Sequence, residues 1–311
     1  MQSRSVLLIA AIMLAVSCGK APDRIEPGPP QTYQVYFLAG QSNMVGYGQT
    51  RDIPPELREP VEGVFIFHGR MRKDDGAGAG IGLWRGLAPG HGRAFDTNGR
   101  RNSLSRWFGP ELSFGRRMHA LRPDERIAII KYARGATALM DGVSRYGSWD
   151  PDYQDGDGLN QYDHALATLR NALSARDVNG DGVEDKLVPA GIIWMQGESD
   201  AAYDRGAALA YEDNLRRLMS LFREALGDET LPVVIGRIRD SGDTPETRVM
   251  KYSPEVREQQ AAFVEADPCA ALVTASDGFG FRRDGWHYRS EDYVALGQAF
   301  AEAALALENE C

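Results

Sequence analysis

The sequence has no excess of positive charge: 35 Lys and Arg stand against 44 Asp and Glu, a net charge of −9 at neutral pH. A chain of that sign repels phosphate backbones at long range, so nucleic acid is not an expected partner. Long apolar runs are also missing. Past the N-terminus nothing approaches the roughly 18–20 apolar residues that a spanning helix needs, so no transmembrane helix is predicted. Glycine (34) and proline (16) are plentiful but follow no repeat. With 43% hydrophobic and 25% charged residues, collagen, coiled coil and disorder are excluded as readings of the whole chain. Histidine is scarce, with five in 311 residues, so a histidine at a useful position stands out.

The N-terminus sets the compartment. Residues 1–17 carry Arg4 and then an apolar run from Val6 to Val16. That run has the length of a signal-peptide core and is too short to cross a bilayer. Leu14-Ala15-Val16-Ser17-Cys18 resembles a bacterial lipobox, in which Cys18 is lipidated and becomes the first residue of the mature chain. The competing reading is a plain secretory signal that ends near a cysteine. Residues 18–31, with Pro22, Pro27, Pro29 and Pro30, read as a tether. The expected location is the bacterial cell envelope, with acyl chains anchoring the protein to a membrane. Cys269 and Cys311 then remain; in an oxidising compartment they pair or stay as two free thiols.

Five short β-branched or aromatic runs read as buried strands: Val35–Leu38, Ile127–Tyr132, Gly191–Met195, Val233–Gly236 and Ala271–Thr274. Between them apolar residues fall at helical spacing: Tyr162, Leu166, Leu169 and Leu173; Leu215, Leu218, Met219 and Phe222; Val294, Leu296, Phe300 and Ala304. Non-alternating strands separated by amphipathic helices predict an α/β fold, a parallel sheet covered on both faces. One domain over residues 32–311 is expected. The Gly- and Asp-rich segments Gly76–Gly82 and Gly86–Arg101 read as long loops, which in compact domains often belong to a binding site.

Three segments carry chemistry. The first strand runs into Ala39-Gly40-Gln41-Ser42-Asn43-Met44. A serine just past a strand sits where an open sheet places its ligands, beyond the carboxyl ends of the strands. A helix starting there aims N–H groups at an incoming oxyanion. Met44 stands where the G-x-S-x-G motif needs glycine, and taken alone Ser42 also reads as a helix N-cap. The second segment is Ile192–Asp200, again a buried strand ending in polar residues. Gln196 offers an amide donor for an oxyanion and Glu198 a carboxylate, with Ser199 or Asp200 as a helix cap. The third is Asp284-Gly285-Trp286-His287-Tyr288. His287 suits the role of base at neutral pH, and Asp284 can fold back in a tight turn to fix its tautomer.

Gln-Ser-Asn-Met, Trp-x-Gln-Gly-Glu-Ser-Asp and Asp-Gly-x-His, in this order, resemble the SGNH (GDSL-like) hydrolase superfamily. Within it they resemble the sialate O-acetylesterase and acetylxylan esterase branch. Phe108–Gly115 and Arg134-Gly135-Ala136-Thr137 are similar to further segments of that branch. The resemblance spans about Tyr33 to Leu296. It implies a three-layer α/β/α sandwich around a central, mostly parallel, flavodoxin-like sheet. It implies Ser42 as nucleophile and His287 as general base and then acid, with Asp284 as its partner. Glu198 matches a glutamate proposed as the acidic member in some relatives, so that role stays open between the two. The Ser42 and Gly135 N–H groups and the Gln196 side chain would form the oxyanion hole. Other branches carry asparagine where Gln196 stands. The implied activity is that of a serine carboxylic-ester hydrolase on acetylated sugar hydroxyls, sialate or xylan type, with no cofactor required for catalysis. An esterase acting on lipid or peptidoglycan esters, and a non-catalytic glycan-binding lipoprotein, are the alternatives. Asn43, Trp107 and Trp286 are candidates for touching substrate. Tyr47 and Trp149 are further aromatics that could stack on sugar or pack in the core.

Asp177, Asn179, Asp181 and Asp185 put oxygen side chains at positions 1, 3, 5 and 9 of an EF-hand-like frame. Val188 occupies the twelfth position, where that frame needs a bidentate glutamate. A shorter structural calcium loop or a solvated turn is expected instead.

Overall fold

The computed structural model describes residues 28–70, 78–154, 160–308 and 311. The expected signal peptide, Cys18 and most of the expected tether lie outside the described residues. Seven strands form one sheet: β1 (Thr32–Gly40), β2 (Val64–His68), β3 (Trp84–Gly86), β4 (Arg126–Ala133), β5 (Lys186–Met195), β6 (Val233–Gly236) and β7 (Ala270–Val273). Their order is β7-β6-β5-β1-β4-β2-β3, all parallel except the antiparallel edge strand β3. The eight α-helices among the described residues are α1 (Ser42–Val45), α2 (Glu111–Leu121), α3 (Gln161–Ser174), α4 (Glu198–Tyr203), α5 (Arg205–Leu209), α6 (Tyr211–Leu226), α7 (Ser253–Ala266) and α8 (Ser290–Glu308).

Strand β1 shows why its sequence does not alternate. Successive side chains point to opposite faces, and both faces are covered. Tyr36 packs edge-on against Phe114 of α2 at 5.2 Å and its hydroxyl donates to Glu308 of α8. The next residue, Phe37, packs against Phe222 of α6 at 5.2 Å on the other face. Phe222 in turn meets Tyr162 of α3 at 5.8 Å. Helices α2 and α8 thus form one outer layer, and α3, α6 and α7 the other, a three-layer α/β/α sandwich.

All five predicted strands lie within or overlap β1, β4, β5, β6 and β7. Strands β2 and β3 were not anticipated. Val64-Phe65-Ile66-Phe67 carries the same β-branched and aromatic signal as its neighbours. Trp84–Gly86 is a three-residue edge between the two segments read as loops, held where Trp84 Nε1 donates to Ala172 O of α3 at 3.2 Å. Gln31, assigned to the tether, belongs to the folded unit: its N–H donates to Asp185 Oδ1 at 2.9 Å and its side-chain oxygen accepts from Arg126 Nε at 2.8 Å. A disulfide joins Cys269, just before β7, to Cys311, with Cα atoms 5.7 Å apart. No helix among the described residues is long and apolar enough to cross a membrane.

The Asp-rich loop closes on itself. Asp177 accepts from Gly180 and Gly182 N–H, Asp181 from Val183 N–H and Asn179, and Asn179 from Asp181 N–H. Asp185 turns inward, accepting from Gln31 and Val178 N–H. The residues singled out for calcium, Asp177, Asn179, Asp181 and Asp185, thus all take hydrogen bonds from the loop and its neighbours. Among the described residues there is no cluster of three metal-ligating side chains of the His, Cys, Asp or Glu type.

Candidate active site

The site lies at the carboxyl ends of β1, β4 and β5. At the end of β1, Gly40 has φ +142°, and a Cβ there would meet Met195 O of β5 at 2.1 Å. Only glycine fits. Gln41 N–H then donates to Met195 O at 2.9 Å, and the chain turns into the four-residue helix α1. Gln41 is its N-cap and Ser42 its first residue. Ser42 is 7% exposed. Gly135, just past β4, abuts it: a Cβ on Gly135 would stand 3.3 Å from Ser42 Cβ and 3.7 Å from the Tyr47 hydroxyl. Among the described residues the backbone N–H groups of Ser42 and Gly135 donate to no protein acceptor.

The loop before α8 supplies the imidazole. Asp284 Oδ1 accepts the N–H groups of Trp286 and His287 at 2.9 and 3.0 Å, and Oδ2 lies 3.0 Å from His287 Nδ1. Gly285, at φ +72°, gives the turn its left-handed bend. The ring stacks flat on Tyr47, with centroids 3.6 Å apart and planes 8° from parallel. Burial lowers the His287 pKa below the usual histidine value, against the raising effect of the Asp284 hydrogen bond and charge; Arg282 and Arg93 lower it further. Burial disfavours the charged form of Asp284, but the His287 hydrogen bond and the two N–H donors outweigh it and hold the carboxyl below its ordinary range.

Two residues bring the serine and histidine segments to one place. Tyr47 spans them, with its hydroxyl near Gly135 and its ring on His287. Asn43 links them directly, its amide donating to Trp286 O at 3.2 Å. Asn43 is 1% exposed. It also donates to Glu198 Oε1 at 2.7 Å, and its oxygen accepts from Tyr293 Oη at 2.7 Å. The expectation that Asn43 touches substrate therefore gives way, because its donors and acceptor are committed to protein. Beneath α1, the buried Lys131 donates to Val45 O and His91 O at 3.0 Å each and pairs with Glu111 Oε2 at 2.7 Å.

Glu198 does not meet His287 in this arrangement; Asp284 does. Glu198 is 1% exposed, and burial raises its carboxyl to about 7, against the lowering effect of the Asn43 hydrogen bond. Its Oε2 atom has no hydrogen-bond partner among the described residues. Gln196, expected in the oxyanion hole, is 0% exposed and its amide nitrogen is directed elsewhere. It faces three acceptors: Asp200 Oδ2 at 2.6 Å, Thr137 O at 3.0 Å and Gln41 Oε1 at 3.3 Å. Asp200 also accepts Leu139 N–H at 3.0 Å, so Gln196 and Asp200 fix the segment after Gly135 rather than cap a helix. Burial raises the Asp200 carboxyl to about 6. Gly197, not Ser199 or Asp200, is the N-cap of α4.

Arginines rim the site. Arg93 lies over the rings of Tyr47 and Trp107 at 5.3 and 5.8 Å, and Arg282 over Trp107 at 4.9 Å. Arg282 also donates to Tyr47 O at 3.0 Å. Trp107 is thus at the rim, whereas Trp149 is a core residue, edge-on to Trp194 at 4.9 Å. Trp286 is half-buried and contributes its carbonyl to the Asn43 link. A cavity of about 250 Å³ opens beside Gly135 and Val45, lined by Arg70, Arg93, Arg134 and Phe95. Arg93 and Arg282 escaped sequence reading as functional residues. For Arg93 the available signal was its place in the Gly86–Arg101 loop.

Residues 32–306 match the family model described as "Carbohydrate esterase, sialic acid-specific acetylesterase". A protein of Arabidopsis thaliana named probable carbohydrate esterase is 24% identical over 305 residues, 92% of this chain and 94% of its own length. The X-ray structure of an Arabidopsis thaliana protein superposes with a TM-score of 0.63 at 22% identity, covering 91% of this chain and all of that one. NanS superposes at 0.59 with 18% identity, over 92% of this chain and all of its own. A carbohydrate acetylesterase from Xanthomonas citri superposes at 0.61 with 18% identity, over 89% of this chain and 56% of its own. These structures share the fold.

Proposed function

The chain belongs to the carbohydrate esterase family of sialic acid-specific acetylesterase type, and from that premise we propose that it hydrolyses acetyl esters on sugar hydroxyls through an acyl-enzyme on Ser42. The observation that carries this reading is the convergence of Ser42, Gly135, Tyr47 and the Asp284-bonded His287 at one sheet edge. His287 takes the Ser42 proton as the serine oxygen attacks the acetyl carbonyl. Asp284 holds the imidazole in the tautomer that makes Nε2 the base and stabilises the imidazolium. The Ser42 and Gly135 N–H groups receive the tetrahedral oxyanion. The protonated imidazole returns its proton to the departing sugar oxygen, and water activated by the same imidazole then releases acetate.

Among acetylated sugars the rim favours an acidic one, of sialate type, over neutral xylan. Arg93 has an exposed side chain and no acidic partner among the described residues, and it stands beside Tyr47, the ring on which His287 stacks. The test is acetate release from O-acetylated sialic acid, acetylated xylan and p-nitrophenyl acetate. Release from the sialate ester at the highest kcat/KM, abolished in Ser42→Ala, supports the reading; turnover of none of the three overturns it. For the N-terminus we propose lipidation of Cys18 and anchoring in a bacterial cell envelope. Loss of labelled-palmitate incorporation in Cys18→Ser is the expected result.

A further inference from the structure

The three segments that carry the chemistry meet at a side chain that takes no part in it. Asn43 follows the nucleophile, and Trp286, whose carbonyl it holds at 3.2 Å, precedes the base. One amide hydrogen goes there and the other to Glu198 Oε1 at 2.7 Å, while Tyr293 of α8 donates to its oxygen at 2.7 Å. The amide is therefore saturated on three sides, and its plane is fixed by partners from α4, α8 and the histidine loop. Glu198 is the first residue of α4, immediately beyond the β5 turn, and has no other side-chain partner among the described residues.

We propose that Asn43 and Glu198 form a positioning pair, in which a buried carboxyl orients the Asn43 amide so that it fastens the Ser42 turn to the His287 loop. The proposal rests on the hydrolase reading above and assigns Glu198 a role other than partner to the histidine. Two observations separate those roles. The imidazole Nδ1 is already occupied by Asp284 at 3.0 Å. Glu198 faces an amide donor that needs only a carbonyl oxygen, and its other oxygen, Oε2, is buried and unpartnered, which is where a proton resides on a neutral carboxylic acid. Burial favours that neutral form. A neutral acid and a primary amide offer Asn43 the same carbonyl, so glutamine should replace the glutamate while alanine should not.

The experiment uses the full-length protein and p-nitrophenyl acetate, with wild type and Ser42→Ala as references. A positioning role predicts that Asn43→Ala and Glu198→Ala lower kcat by about 10²-fold, the scale of an ångström-sized misplacement of reacting groups, with KM little changed. Glu198→Gln should recover most of that loss. The double variant Asn43→Ala/Glu198→Ala should fall no further than Asn43→Ala alone, because the two act as a unit. Melting temperatures verify that each variant is folded. A Glu198→Gln protein as impaired as Asp284→Asn would overturn the pairing, since the charge itself would then be required. So would additive losses in the double variant, or alanine variants with wild-type kcat. An inactive wild type would instead remove the hydrolase reading on which the pairing depends.

Discussion

Two side chains set the pH response of this site in opposite directions. A general base works only while neutral, so activity should fall as pH drops through the His287 pKa, which burial holds below the ordinary histidine value. Asp284 raises that pKa and Arg93 lowers it. In Asp284→Asn the acid limb of kcat/KM should move to lower pH, with a rate loss of roughly 10³–10⁴-fold, as expected for a triad that has lost its orienting carboxylate. In Arg93→Gln the limb should move to higher pH. Movement of both limbs the same way would contradict the placement of either group. Gly135 offers a steric test at the same scale. A methyl there would press on Ser42 Cβ at 3.3 Å, so Gly135→Ala should lower kcat far more than it lowers the melting temperature. At this scale the sequence was most informative about Ser42, His287 and Asp284, whose neighbours in the chain carry the turns that place them. It misled on Gln196 and Asn43. An amide beside a reaction centre reads as a donor to substrate until its acceptors are known, and two of those acceptors, Thr137 O and Trp286 O, come from other segments.

Among the elements, α1 is short for its task. Four residues cannot sustain a helix by propagation, so tertiary contacts must hold it. Lys131 of β4 supplies one, with three acceptors around its ammonium: Val45 O, His91 O and Glu111 Oε2. Both Lys131 and Glu111 are fully buried. Lys131→Met should therefore destabilise the protein by about 3–5 kcal/mol, because it leaves a carboxylate buried without its partner. The double variant Lys131→Met/Glu111→Gln should recover part of that loss in urea unfolding. Nothing in the sequence marks this pair, since Lys131 lies inside an apolar strand run and Glu111 opens a helix. Strands and helices themselves were legible where both faces are covered by apolar residues, as in β1, β4, β5 and α6. Helix α7 was not, because few large apolar residues mark its buried side: Val256 and Phe263.

For the molecule as a whole, burial of Glu198 and Asp200 couples stability to pH. Their folded values, about 7 and about 6, lie above the ordinary 4.5 and 3.8. A raised carboxyl pKa contributes stability that is fully present below the unfolded value and lost as pH rises through the folded one. Each unit is worth about 1.4 kcal/mol, so Glu198 contributes on the order of 3 kcal/mol at pH 4 that is gone by pH 8. The melting temperature of Glu198→Gln relative to wild type should accordingly improve as pH rises from 5 to 8; a constant difference would show that the carboxyl does not titrate in this range. The Cys269–Cys311 disulfide closes a loop of 42 residues. By loop entropy that is worth about 4 kcal/mol, so reduction or Cys311→Ser should lower the urea midpoint by the corresponding amount.

The place of β1 in the sheet has a consequence for biosynthesis. The earliest strand to leave the ribosome is the middle one of the sheet, and its two neighbours begin only at Arg126 and Lys186. The first strand cannot close a hairpin with either neighbour, since both run parallel to it. Pairing across such spans makes folding slow. The topology that puts the strand leading into Ser42 at the centre of the finished protein thus also delays the completion of its surroundings until Met195 has been made.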